Sequence, residues 1–88
     1  MEGIVYILFS IKLNRYYIGS TIDFHNRLSE HNNGRVKSTR VGTPWKMVFK
    51  KKYSTIKIAR QIEYKLKRMK SRTLIEQIIE DQEIKMGH

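Results

Sequence analysis

The chain has 88 residues, 40% hydrophobic and 30% charged, which is enough for one domain with one modest core and excludes a second. It contains no cysteine, so disulfides, thiolate metal sites and a cysteine nucleophile are all ruled out. Its net charge of +10 is uneven, with 17 Lys/Arg against 4 Asp/Glu in residues 1–72 and one against four in 73–88, as expected of a body that attracts polyanions. The chain opens with Ile4–Ser10, IVYILFS, β-branched and aromatic without a breaker, which predicts a strand. The wider apolar run GIVYILFSI is nine residues long and follows a glutamate, too short to cross a bilayer and unlike a signal peptide. A soluble cytoplasmic protein with no membrane attachment is the expectation. IKLNR then turns the chain, with Asn14 as its best turn residue, and YYIGST returns as a second strand to complete an antiparallel hairpin.

Thr21 or Asp23 can cap a helix running to about Asn33, with Gly34 as its left-handed stop and Phe24 and Leu28 on its buried side. GRVKSTRVGTP, residues 34–44, predicts a basic loop. WKMVFKKKY alternates, placing Trp45, Met47, Phe49 and Tyr53 on one side of a strand and Lys46, Lys50 and Lys52 on the other. Ser54 or Thr55 starts a second helix with the stripe Ala59, Ile62, Leu66 and Met69. Ser71 or Thr73 caps a third, occupying 71–88, with Leu74, Ile75, Ile78 and Ile79 inward and Glu76, Glu80 and Asp81 outward. The order ββαβαα predicts a single α+β domain over 1–88, a three-stranded antiparallel sheet flanked by helices, with the last helix packed on it.

Three groups of residues could do chemistry. Arg27 and His31 stand four apart, on one side of the first helix, where an arginine at the margin of the apolar stripe can be held by packing and still reach a phosphate. A solvated surface arginine would look the same. Glu63 is the sole acid between Glu30 and Glu76. It can be an ion-pair partner of Arg60 or Lys67, or a carboxylate for Mg²⁺, which binds through one or two carboxylates plus water and substrate phosphate. Tyr6 and Tyr17 come from the two hairpin strands and can complete a core or, beside a cation and an arginine, take a proton from water.

Together these residues resemble the GIY-YIG nuclease family. The two tripeptides stand as Ile4-Val5-Tyr6 and Tyr17-Ile18-Gly19, with ten residues between the tyrosines. Arg27 follows the second tyrosine by ten, His31 comes four later, and Glu63 lies within ARQIEYKLK on a later helix. The likeness spans residues 3–72 and is strongest to short single-domain bacterial members with a PWK strand and an E-x-x-L-K-x-x-K-S helix.

The resemblance implies an endonuclease that hydrolyses DNA phosphodiesters with one Mg²⁺ or Mn²⁺ ion per site. In that scheme Tyr6 or Tyr17 is the base, Arg27 the charge clamp and Glu63 the metal ligand. His31 hydrogen-bonds a tyrosine or a phosphate, Gly19 lets backbone or substrate approach the hairpin, and Lys37, Ser38, Thr39 and Arg40 contact phosphates. No separate target-choosing domain follows, so selectivity is expected for DNA shape (branched, flapped or single-stranded), as in repair or recombination, or from a protein partner. RNA stays open as a substrate, as does a monomer or a weak dimer. The alternative is a nucleic-acid-binding module on the same fold that does not cut.

Overall fold

A computed structural model describes residues 1–84. Three strands, β1 (Gly3–Ser10), β2 (Arg15–Thr21) and β3 (Lys46–Tyr53), form an antiparallel sheet in the order β2-β1-β3. Three helices, α1 (Phe24–Asn32), α2 (Ile56–Met69) and α3 (Arg72–Asp81), complete the expected ββαβαα order, with a single 3₁₀ turn at Arg40–Gly42. The fold is α+β. None of the helices among the described residues is long and apolar enough to cross a membrane.

Because β1 is central and covered on both faces, it is apolar throughout instead of alternating. Val5 and Ile7 point to one face, where Ile18, Phe49, Ala59, Leu66, Ile78 and Ile84 form the main core under α2 and α3. Tyr6 and Leu8 point to the other, joining Trp45 in a smaller cluster roofed by Phe24 and Leu28 of α1 and flanked by Tyr17.

Local chemistry sets the ends of the elements. Asn14 turns the hairpin in the left-handed region at φ 52°. Of the two candidate caps for α1, Asp23 accepts from Asn26 N at 3.1 Å. Past the α1 C-cap, Asn33, Gly34 takes the left-handed conformation at φ 74°. Thr55 and Ser71 accept from Ile58 N and Leu74 N, capping α2 and α3.

Three expectations fail for physical reasons. Period two does not hold along β3: Ile7 pairs with Phe49 but Leu8 with Met47, so Val48 is a bulge residue. The bulge turns Trp45 to the α1 face while Phe49 and Tyr53 face the main core, and it leaves Met47 36% exposed. Met69 is exposed at the end of α2 and outside the stripe. The last helix stops at Asp81 instead of running to the end of the chain; Gln82 is left-handed, its backbone N–H bonds Ile78 O, and its side chain donates to Val48 O at 3.2 Å. The remainder of that expected helix, residues 85–88, lies outside the described residues.

Leu66 is 2% exposed in the main core. Leu66→Ala should therefore lower stability by about 2–4 kcal/mol, read as a shift in urea midpoint at unchanged slope. A loss no larger than that of Met69→Ala would show the core to be placed wrongly.

Candidate active site

The α1 face of the sheet carries a buried polar chain. Tyr6 is 1% exposed and His31 fully buried, and the Tyr6 oxygen lies 3.0 Å from His31 Nε2. On the other side of the ring, His31 Nδ1 is 2.8 Å from Thr39 Oγ1. The network assigns the tautomer: the Thr39 hydroxyl donates to Val36 O at 3.3 Å, so Nδ1–H donates to Thr39 and Nε2 accepts from Tyr6. Burial pushes the imidazole down to about 4, helped by the nearby Arg27 cation, so it is neutral at pH 7. Burial likewise pushes the Tyr6 phenol up to about 12, only partly offset by its hydrogen bond with Arg27. That same contact raises the proton affinity of Arg27.

Gly19 is the cross-strand neighbour of Tyr6. A Cβ there would lie 2.5 Å from Tyr6 Cζ, so the missing side chain makes room for the phenol itself, not for backbone or substrate. The 36–45 loop is fastened to the same face. Trp45 Nε1 donates to Thr39 O at 2.7 Å, and the Asn32 amide pairs with the Trp45 backbone through bonds of 2.6 and 3.1 Å. Thr39 is thus corrected from a phosphate contact to a buried support for His31, at 1% exposure, while Lys37, Ser38 and Arg40 remain exposed on the loop.

Glu63 approaches from the other side of the sheet. Tyr17 and Ser20 lie three apart on β2 and so point to opposite faces. Because β2 is an edge strand, a side chain from α2 can meet both. Ser20 Oγ donates a short hydrogen bond to Glu63 Oε1, and Lys67 Nζ lies 2.6 Å from Oε2. The Lys67 ammonium also stands 5.5 Å from the centre of the Tyr17 ring. Tyr17 in turn lies 4.9 Å from the His31 ring and 6.4 Å from Tyr6, centre to centre. Tyr17, Arg27 and Glu63 all act electrostatically on Tyr6. Arg27 is partly exposed and also pairs with Glu30 at 3.3 Å.

Ser20 was missed by the sequence reading, and its only signal is its place on an edge strand opposite the helix that carries Glu63. Among the described residues no three His, Asp or Glu side chains converge as a self-sufficient metal cage. Glu63 is a lone carboxylate, so an ion held there would draw its remaining ligands from water and phosphate oxygens and would have to displace or share the Lys67 contact.

The sheet of order β2-β1-β3 thus carries two hairpin tyrosines and a helical Arg–His pair on one face, with a carboxylate from α2 meeting its β2 edge, an arrangement similar to that expected of a GIY-YIG nuclease domain. The GIY-YIG catalytic domain family model matches residues 2–76, and the chain belongs to that family. It is 40% identical over 70 residues to the UPF0213 protein YazA of Bacillus subtilis (strain 168), covering 75% of this chain and 71% of that one. It also resembles the solution NMR structure of the UPF0213 protein BH0048 from Bacillus halodurans, with TM-score 0.57 and 32% identity over 91% of this chain and 84% of the other.

Two predictions follow from the buried chain. Gly19→Ala should displace the Tyr6 phenol and destabilise the domain by about 1–3 kcal/mol, with loss of the His31–Tyr6 bond seen in imidazole ¹⁵N shifts. The second concerns acid. His31 is depressed to about 4 in the folded state from 6.5, so its contribution to stability is complete above pH 6.5 and is lost as pH falls toward 4. The loss by pH 4 should be on the order of 3 kcal/mol at about 1.4 kcal/mol per unit. Urea midpoints at a series of pH values test this, and a His31→Gln variant should flatten that segment of the curve.

Proposed function

We propose that this protein is a divalent-metal-dependent endonuclease acting on DNA phosphodiesters, selective for DNA shape more than for sequence. The observation that supports the reading is that Lys67 links Glu63 to the Tyr17 ring at the edge of β2, while Arg27 hydrogen-bonds Tyr6, the tyrosine that His31 holds. Membership of a family described by its catalytic domain supports the same conclusion.

Burial separates the two tyrosines. Tyr6 has its hydroxyl committed to His31 and its proton held up to about 12, so it is a poor acceptor for a proton from water. Tyr17 is half-buried, and its hydroxyl has no hydrogen-bond partner among the described residues. Tyr17 is therefore the base. Its oxygen takes a proton from the attacking water and passes its own to solvent while the water oxygen bonds phosphorus and the P–O3′ bond breaks. Arg27 faces the phosphoryl oxygens and stabilises the charge that accumulates there. The Tyr6–His31–Thr39 chain holds the Tyr17 ring in place.

Glu63 would hold Mg²⁺ or Mn²⁺, which when bound supplies charge neutralisation at the departing 3′ oxygen. Exposed Lys37 and Arg40 add phosphate contacts that position the strand without reading its sequence.

The test incubates wild type with branched, flapped and single-stranded DNA plus Mg²⁺ or Mn²⁺. Glu63→Gln and Arg27→Ala should each reduce product at least about 100-fold while retaining binding. Tyr17→Phe should do the same, and Tyr6→Phe should reduce the rate less. Metal-dependent product formed equally by wild type and Glu63→Gln would defeat the proposal. Salt-sensitive binding with no product from wild type would leave a binding module.

A further inference from the structure

A second cationic feature lies beyond the reacting groups. Between β2 and the α2–α3 junction is a cleft of about 240 Å³ whose lining includes Arg15, Lys67, Lys70 and Arg72 and no acidic residue, above a floor containing Ile18 and Leu66. It is continuous with the site, because Lys67 belongs to both. Two of the four cations are already engaged: Lys67 with Glu63, and Arg72 with Glu76 at 3.2 Å and with Asn14 through two bonds of 2.9 Å. Arg15 and Lys70 have no ion-pair or hydrogen-bond partner among the described residues.

Lys70 is also in an unusual backbone conformation. It ends α2 in the left-handed region at φ 46°, ψ 41°, where glycine or asparagine would be accommodated more easily. Its exposed side chain makes none of the described contacts that would offset this strain. A strained, unpaired lysine and an unpaired arginine lining one cleft beside the candidate site point to a ligand that carries negative charge.

From this we infer that the cleft holds the phosphodiester backbone of the DNA strand adjoining the scissile phosphate, through Arg15 and Lys70, with Lys67 linking it to the site. The inference rests on the nuclease reading for its choice of DNA, and it gives the strand a direction: along the edge of β2 toward the start of α3.

The experiment measures binding of a fluorescein-labelled DNA duplex by anisotropy across a salt series, in EDTA, so that cutting plays no part. Arg15→Gln, Lys70→Gly and Lys70→Asn should each weaken binding roughly threefold and reduce the steepness of log Kd against log salt by about one. Both Lys70 variants suit the left-handed conformation and should melt at the wild-type temperature or above it. Lys57→Gln, which removes the same charge near the start of α2, should leave the salt slope unchanged. If the cleft variants behave like Lys57→Gln, or if Lys70→Gly lowers the melting temperature, the assignment is overturned. Wild type that binds through these cations but leaves DNA intact in Mg²⁺ would support the cleft and refute the cleavage reading. Cleavage by wild type with binding indifferent to Arg15 and Lys70 would overturn the cleft alone.

Discussion

The hydrogen bond between the Tyr6 phenol and the His31 imidazole joins the sheet to everything on its α1 face. Few apolar groups are available there: α1 contributes only Phe24 and Leu28 to the small cluster around Tyr6, Leu8 and Trp45. Helix and loop are instead fastened by polar contacts that are satisfied and, Asn32 apart, buried: Tyr6 to His31, His31 to Thr39, and Trp45 to Thr39 and Asn32. None of the buried side-chain polar atoms among the described residues lacks a partner. A chain of this kind rigidifies only when complete, because each orphaned member would carry the full desolvation penalty. The two faces have therefore divided their tasks. The main core under α2 and α3 supplies apolar stability, and the α1 face sets the geometry of Tyr6, His31 and Tyr17.

The edge position of β2 follows from the same division. A side chain of α2 lies on the main-core side, and a central strand would screen it from the tyrosines. At an edge the screen ends. Ser20 points toward α2 and receives Glu63, while Tyr17, three residues earlier, points to the other face and meets His31. Glycine between them at position 19 lets the Tyr6 phenol lie against the strand, which brings the deepest member of the site to the same boundary. Lys67, bonded to Glu63 and standing over Tyr17, spans the two faces.

Most of the fold was legible because its signals are local. Apolar β-branched runs, side-chain caps at Asp23, Thr55 and Ser71, and a left-handed Gly34 each report on their own neighbourhood. The candidate residues were legible as an ordered set, since the spacing of Tyr6, Tyr17, Arg27, His31 and Glu63 carries more than any one of them. What was not legible depends on contacts remote in sequence. The Val48 bulge comes from how β3 pairs with β1, and an alternating pattern cannot register an inserted residue, so Trp45 and Phe49 were put on one face. Thr39 lies in a loop without periodicity, where a hydroxyl beside Lys and Arg suggests phosphate, yet the tryptophan and histidine around it enclose it. The difference between the two tyrosines is a difference of burial, which neither tripeptide encodes.

The distribution of charge gives the site its orientation toward a polyanion. α3 starts at the β2 side, where Arg72 bonds Asn14 and stacks 5.0 Å over Tyr16, and ends at the β3 side, where Gln82 reaches Val48 O. Its cation is at the first end, and Glu80, Asp81 and Glu83 are at the other. Across the sheet, Lys50 packs 5.0 Å over Phe24 on the α1 face, on the opposite flank of Tyr6 from β2. Glu80, Asp81 and Glu83 thus lie at the β3 end of α3, away from the edge of β2. An asymmetry of that kind keeps the acids from the cations near the β2 edge, and in general a segregated charge distribution steers an approaching polyanion toward the basic end.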